Sequence, residues 1–178
     1  MEKILKRKRV FKGKVVRVEE IDIDFGKGKT ATFELVKFNT ITGVSALAID
    51  QNNNVILAKH FHLAPQKRIL TLPTGGLEKG DNPELRMQQE LQEEIGYKAG
   101  KLTLLTRMYA IPGYIGSQPA YIFLALNLTP SKLPGDEHET IEVVKIPFKK
   151  ALQMVKSGKI SDGRTVLALL FYSKFFKK

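Results

Sequence analysis

No stretch constrains this chain more than Gly75 to Tyr97, where a glycine-rich turn feeds directly into a helix-forming run with a glutamate-rich end. Pro83 falls in the first turn, the one place where a helix tolerates proline. From Pro83 to Ile95 the residues are good helix formers with no internal glycine, and Gly96 supplies the stop. Met87, Leu91 and Ile95 repeat every four residues, so they share one face, predicted to pack on the core. Glu90 and Glu94 lie one turn apart on another face, with Glu93 beside them. Like charges at this spacing repel on a bare helix by roughly 0.2–0.5 kcal/mol per pair. A run of glutamates is most often a solvated face. This run follows a glycine-rich loop, in a chain of formal net charge +11, and it equally fits a divalent-cation site, because carboxylate oxygens are the ligands of Mg²⁺ or Mn²⁺.

With 178 residues, 43% of them hydrophobic, the chain is long enough for one globular domain with a sizeable core. No apolar run approaches the roughly 20 residues of a membrane span, and Met1 to Arg9 has no signal-peptide pattern, so the cytoplasm is the expected compartment. The absence of cysteine excludes a disulfide framework, thiol catalysis and thiolate zinc sites. Three histidines make an all-protein zinc site a poor reading. The pI of about 9.8 points to anionic partners such as phosphates, although scattered lysine kept for solubility gives the same balance. Much of the excess sits at the ends, in Lys3, Lys6-Arg7-Lys8-Arg9, Lys174, Lys177 and Lys178.

Along the chain, Val10 to Asp24 reads as one or two strands ending at the Gly26-Lys27-Gly28-Lys29 turn, and Thr30 to Phe38 as the return strand. Thr42 to Asp50 and Val55 to Phe61 flank Gln51-Asn52-Asn53-Asn54 and form a hairpin. Further strands are expected over Ile69–Leu72, Lys101–Tyr109, Ala120–Leu128 and Ile141–Ile146, and helices over Phe148–Lys156 and Arg164–Phe176. The apolar run of Ala120–Leu128 is that of a strand buried on both faces. Strands interrupted by one helix and followed by two more predict a mixed sheet sandwiched between helices.

The stretch from Gly75 resembles the Nudix box, Gly, five residues, Glu, seven residues, Arg-Glu-apolar-x-Glu-Glu-x-Gly-apolar. Gly75, Glu90, Leu91, Glu93, Glu94, Gly96 and Tyr97 match, seven of nine fixed positions. Asp81 and Gln89 replace the Glu and Arg whose ion pair braces the loop in the family, which implies a weaker hydrogen bond here. The resemblance extends to the branch that cleaves ADP-ribose and other nucleoside diphosphate sugars. It is carried by Phe11-Lys12-Gly13-Lys14-Val15, Leu72-Pro73-Thr74-Gly75-Gly76, Ile111-Pro112-Gly113 (the branch has Ser-Pro-Gly), Glu142-Val143-Val144 and the ending from Ala151 to Leu170. Departures stand where the family touches substrate: Thr71 for a Glu, Lys59-His60-Phe61-His62 for Arg-Gln-Tyr-Arg, and Gly116-Ser117-Gln118-Pro119 for a loop with a Glu.

The resemblance implies an α+β fold, a Nudix-type α/β/α sandwich with a mixed β-sheet, preceded by an N-terminal antiparallel strand region. Residues 1–40 would serve dimerisation and substrate contacts, and residues 41–178 would form the catalytic domain. The implied activity is Mg²⁺-dependent hydrolysis of a diphosphate linkage, with Mn²⁺ as a possible substitute, in a homodimer. The implied metal ligands are Thr74 (through its carbonyl), Glu90, Glu93, Glu94 and Glu139. Glu137 is the implied general base, with Glu93 also catalytic; a solvated acidic loop is the plain alternative for residues 135–139. Substrate-contacting roles fall on Phe11, Glu34, Lys59, His62, Gly76, Pro112, Gly113 and Arg164. Asp162-Gly163-Arg164 keeps the charge pattern of an Asp-x-Lys associated with nucleoside diphosphate sugars, and it fits a helix N-cap equally well. A second reading stays open: a weakly active or inactive protein of the same fold that binds nucleotides or nucleic acid.

Overall fold

The computed structural model describes residues 1–40, 42–116, 118–135 and 140–176. Strands β1 (Lys3–Lys12), β2 (Val16–Gly26) and β3 (Lys29–Phe38) make a three-stranded antiparallel sheet. Lys27 and Gly28 both have positive φ, 54° and 73°, the two-residue turn whose twist suits a hairpin. The first strand begins at Lys3, inside the segment the sequence presents as a basic end. Its register supplies the reason: Lys3 faces Asp24, Lys6 faces Asp22, Lys8 faces Glu20 and Arg9 faces Glu19. Opposite charges directly across a ladder favour the pairing that like charges would oppose. Glu19 sits at the centre, 2.8 Å from Lys37 Nζ, 3.3 Å from Arg7 and 3.5 Å from Arg17. The Lys37 hydrogen bond, with help from both arginines, holds its carboxyl below the usual range.

The second sheet has seven strands: β4 (Thr42–Ile49), β5 (Asn54–His62), β6 (Lys67–Thr71), β7 (Thr74–Leu77), β8 (Tyr97–Met108), β9 (Ala120–Pro130) and β10 (Glu142–Pro147). The order is β10-β5-β4-β9-β8, with β6 on β5 and β7 on β4. Only the β4–β9 pair among these is parallel, so the sheet is mixed. Central strands are apolar on both sides because both sides are covered. Val44, Ala46, Ala48, Ile56, Ala58, Phe123 and Ala125 pack with Met87, Leu91 and Ile95 on one face. The alternate residues Leu47, Ile49, Val55, Leu57, Ile122 and Leu124 pack with Phe148, Ala151, Ala168 and Leu169 on the other. Helix α1 (Pro83–Glu90) therefore covers one face, while α2 (Phe148–Lys156) and α3 (Gly163–Phe175) cover the opposite one. This is the expected helix–sheet–helix sandwich. Among the described residues no helix is long and apolar enough to cross a membrane.

Two local features differ from the sequence reading. The glycine-rich approach is not all loop, since Thr74–Leu77 pairs with β4, Gly75 opposite Val44 and Gly76 opposite Gly43. The α-helix also ends at Glu90, and Leu91–Ile95 continues it as a π-helical turn. There the Gly96 amide donates to the Leu91 carbonyl, five residues back, with Gly96 itself left-handed at φ 76°. Such turns interrupt α-helices mostly at functional sites. The periodicity of Met87, Leu91 and Ile95 does not distinguish the two windings, because both keep these residues on the core face.

Candidate active site

Asn82 caps α1, its side chain accepting from the amides of Glu84 (2.9 Å) and Leu85 (3.1 Å), and Pro83 occupies the first helical position. Gln88 then fastens the helix to β8 through both atoms of its amide, at 2.7 and 3.0 Å from the Ala99 carbonyl and amide. With its start capped and its middle clamped, the helix presents its glutamates at a fixed height above β7. Glu90 and Glu94 are buried, 5% and 9% exposed, which rules out the solvated-face reading for these two. Glu94 accepts from the Thr74 amide at 3.1 Å. Glu90 lies so close to β7 that a Cβ on Gly75 would sit 1.8 Å from its Oε1, so any larger residue there would push the carboxylate from its place.

Glu90, Glu93 and Glu94 line one polar cleft of about 400 Å³ together with Thr74, Arg86, Lys132 and Gly135. The segment after β9 closes its rim. Ser131 donates to the Gly96 carbonyl at 2.9 Å, Lys132 Nζ donates to the Glu93 carbonyl, and a Cβ on Gly135 would meet that same carbonyl at 3.3 Å. Glu137 and Glu139, the expected base and further ligand, lie outside the described residues. In donor chemistry the cleft fits a hard divalent cation: three carboxylates and backbone oxygens at β7, with no sulfur or imidazole lining it among the described residues. Among the described residues, however, no three acidic or histidine side chains converge on one point. Arg86 stands between them.

A second cleft, of about 390 Å³, adjoins the first across Thr74. It is lined by Thr74, Gly75 and Gly76 from β7, by Arg17, Lys37 and Phe38 from the N-terminal sheet, and by Tyr109, Gln118 and Arg164. Arg164 is set by its neighbour. Thr165 is fully buried, donates to Asp162 Oδ2 at 2.7 Å and accepts from the Leu72 amide at 3.0 Å, which ties the start of α3 to the strand approaching β7. Asp162 is thereby an N-cap, as one of the two sequence readings had it, and it also accepts from the Thr165 amide at 2.9 Å.

The other expected contacts scatter. Of the eight substrate positions, Gly76 and Arg164 line this cleft. Phe11 and Glu34 lie on exposed parts of the N-terminal sheet. Lys59 instead pairs with Glu142 at 3.0 Å and borders a separate groove between β6, β10 and α2. His62 stacks edge-on to His60 with centroids 4.2 Å apart. Pro112 and Gly113 belong to a loop that is pinned to β3 from either side, the Val36 amide donating to the Tyr114 carbonyl and the Gly116 amide to the Val36 carbonyl. Thr71, where the family has Glu, is buried with its hydroxyl 3.4 Å from His60 Nε2.

Arg17 and Lys37 escaped the sequence reading because nothing local distinguishes a strand cation that faces a cleft from one that faces water, and Tyr109, just past the end of β8, carried no signal of its own. Arg86 did carry a signal, its position four residues before Glu90, the spacing of a helical ion pair. The expected Asp81–Gln89 hydrogen bond is not made. Asp81 accepts from the Glu78 amide at 2.8 Å, and Gln89 Oε1 accepts from Arg86 Nη1 at 3.4 Å.

A mixed sheet between helices, with a glycine strand pressed against buried glutamates of a capped helix, defines the class of α/β/α sandwiches that carry an acidic box. The NUDIX domain matches residues 40–169, and the chain belongs to the NUDIX family. It is 34% identical over 172 residues to an ADP-ribose pyrophosphatase of Bacillus subtilis, covering 96% of this chain and 91% of that protein. It is 32% identical over 165 residues to a GDP-mannose pyrophosphatase of Escherichia coli K12, covering 88% of this chain and 78% of that one. A solved structure described as an ADP compounds hydrolase superposes with a TM-score of 0.86 at 24% identity, covering 99% of this chain and 94% of its own, a likeness of fold.

Proposed function

We propose that this chain hydrolyses the diphosphate linkage of ADP-ribose or another nucleoside diphosphate sugar, releasing a nucleoside monophosphate and a sugar phosphate. The observation that carries this reading is the pair of clefts meeting at Thr74, one acidic and one lined by Arg17, Lys37 and Arg164. A diphosphate spanning the junction has carboxylates on one side for its counter-cations and, on the other, Arg164 together with Arg17 and Lys37, which share Glu19 as their partner. The aromatic rings of Phe38 and Tyr109 offer faces for a base or sugar. Both the ADP-ribose and the GDP-mannose relatives are consistent with a substrate of this class.

Glu90, Glu93 and Glu94, with the Thr74 carbonyl and Glu139, would hold Mg²⁺ or Mn²⁺. Such ions, when bound, neutralise phosphate oxygens and acidify water. The chain's own residues do the rest. Gly75 and Gly76 let phosphate oxygens approach the backbone of β7, Arg164 and Lys37 orient the anion, and Glu137 takes the proton from the attacking water. The position of Gly135 at the rim of the cleft, close to the Glu93 carbonyl, supports that last role, because Glu137 follows it by two residues in the chain. The purified protein with Mg²⁺ should cleave at least one of ADP-ribose, ADP-sugars, GDP-sugars and UDP-sugars, with a nucleoside monophosphate identified by mass. Absence of product from the whole panel overturns the reading.

Residues 1–40 we assign to dimerisation and substrate contacts. Support comes from their sheet, which carries exposed Ile4, Leu5, Val10, Phe11, Phe25 and Phe33, large apolar side chains of the kind that an interaction face covers. Arg17 and Lys37 reach the second cleft from the same sheet. Light scattering at micromolar concentration should give about twice the 20.0 kDa of one chain, and a monomer mass removes the assignment.

A further inference from the structure

Arg86 reaches into the acidic cleft from α1. Its Nη2 pairs closely with Glu90 Oε1, its Nη1 lies 3.7 Å from Glu93 Oε2, and its Nε donates to the Gly76 carbonyl at 3.3 Å. The Gln89 amide oxygen accepts from the same guanidinium at 3.4 Å. One cation thus touches two of the three box carboxylates and the strand beneath them. Glu90 has little freedom to avoid it, for its carboxylate is backed by Gly75 with no space between. A buried carboxylate without a counter-charge is costly, and here the guanidinium supplies that charge.

A divalent cation held by Glu90 and Glu93 draws on the same two carboxylates, each of which Arg86 engages through one oxygen. An ion at Glu90 Oε1 or Glu93 Oε2 would stand against the guanidinium, and the repulsion of two cations in a partly buried cleft is strong. We propose that Arg86 is a built-in competitor for the cation: it occupies the acidic cleft in the metal-free protein and must leave Glu90 and Glu93 before the ion can bind. This rests on the cation-binding reading of the cleft. The displaced guanidinium keeps two acceptors already within reach, the Gly76 carbonyl and Gln89 Oε1. Gln89 gains a purpose here. An arginine at that position, as the box pattern has it, would set a second cation beside Arg86; the neutral amide accepts a hydrogen bond from it instead. Loop bracing and charge neutralisation, divided in the box pattern between positions 81 and 89, fall in this chain to Arg86, which must release part of that work when the ion enters.

The test titrates Mn²⁺ alone into the full chain and reads free Mn²⁺ by electron paramagnetic resonance. Arg86→Met, which keeps the length of the side chain and removes its charge, should bind Mn²⁺ about tenfold more tightly than the unaltered protein. It should also melt at a lower temperature than the unaltered protein without metal, with the gap closing at saturating Mn²⁺. Arg86→Lys, which cannot grip both carboxylates at once, should tighten binding by about threefold and decides the matter if Arg86→Met does not fold. Mn²⁺ affinity unchanged or weakened in these variants makes Arg86 a brace and overturns the competition, leaving the cation site standing. If neither the unaltered protein nor any variant binds Mn²⁺, the cation-binding reading falls, and the competition falls with it.

Discussion

Glu94→Gln is expected to lower kcat on the order of 10³-fold while leaving the fold intact. The two halves of that expectation have separate causes. Glu94 is buried and accepts from the Thr74 amide at 3.1 Å, a bond that the amide oxygen of glutamine can keep. The bond between the π turn and β7 therefore survives. The charge does not survive. A neutral oxygen is a far poorer ligand for a hard divalent cation, and the lost stabilisation falls on the step in which negative charge accumulates on the phosphates. A loss of 10³ corresponds to about 4 kcal/mol at the transition state. Steady-state kinetics on whichever panel substrate is cleaved, alongside a melting curve, check both halves. Activity within tenfold of the unaltered protein removes Glu94 from the ligand set, and a collapsed melting transition removes the claim that its role is chemical.

Glu137→Gln should lower kcat by about 10²–10⁴-fold with KM and Mg²⁺ requirement nearly unchanged. A general base acts on the proton of the attacking water and not on the bound substrate, so its loss shows in kcat alone. Glu139→Gln, by contrast, removes a ligand, and its defect should recede as Mg²⁺ is raised. The pair of variants is informative because the two residues stand two apart in one acidic run, where Asp136 is a further rival. Rescue of Glu137→Gln by high Mg²⁺, with Glu139→Gln refractory, would reverse the two roles. Full activity in both would return residues 135–139 to a solvated loop.

Much of this protein was legible in its sequence, and for a definite reason. Pro83 and Gly96 act on the backbone within a turn of themselves, so the ends of the box helix could be read without knowing what surrounds it. The unbroken apolar run of β9 is set by burial on two faces, and that already implied helices on both sides of the sheet. Three glutamates at box spacing, beside a glycine where an added Cβ would displace the Glu90 carboxylate, located the acidic cleft.

Tertiary structure alone decided what depends on partners far away along the chain. The basic segment became β1 because β2 sets acids opposite its lysines and arginines, a match visible only once the register is known. Leu91–Ile95 winds as a π turn, though the spacing of its apolar residues suits an α-helix equally well. The second cleft draws Arg17 and Lys37 from one sheet, Gly76 from another and Arg164 from a helix start, positions separated by up to 147 residues in number. Arg86, rather than the Asp81–Gln89 pair, ties loop to helix, because an arginine one turn before Glu90 reaches both carboxylates and the Gly76 carbonyl in three dimensions. Periodicity and capping are local and survive in one dimension; which charge meets which is fixed by strand pairing and by the height at which a helix sits over its sheet.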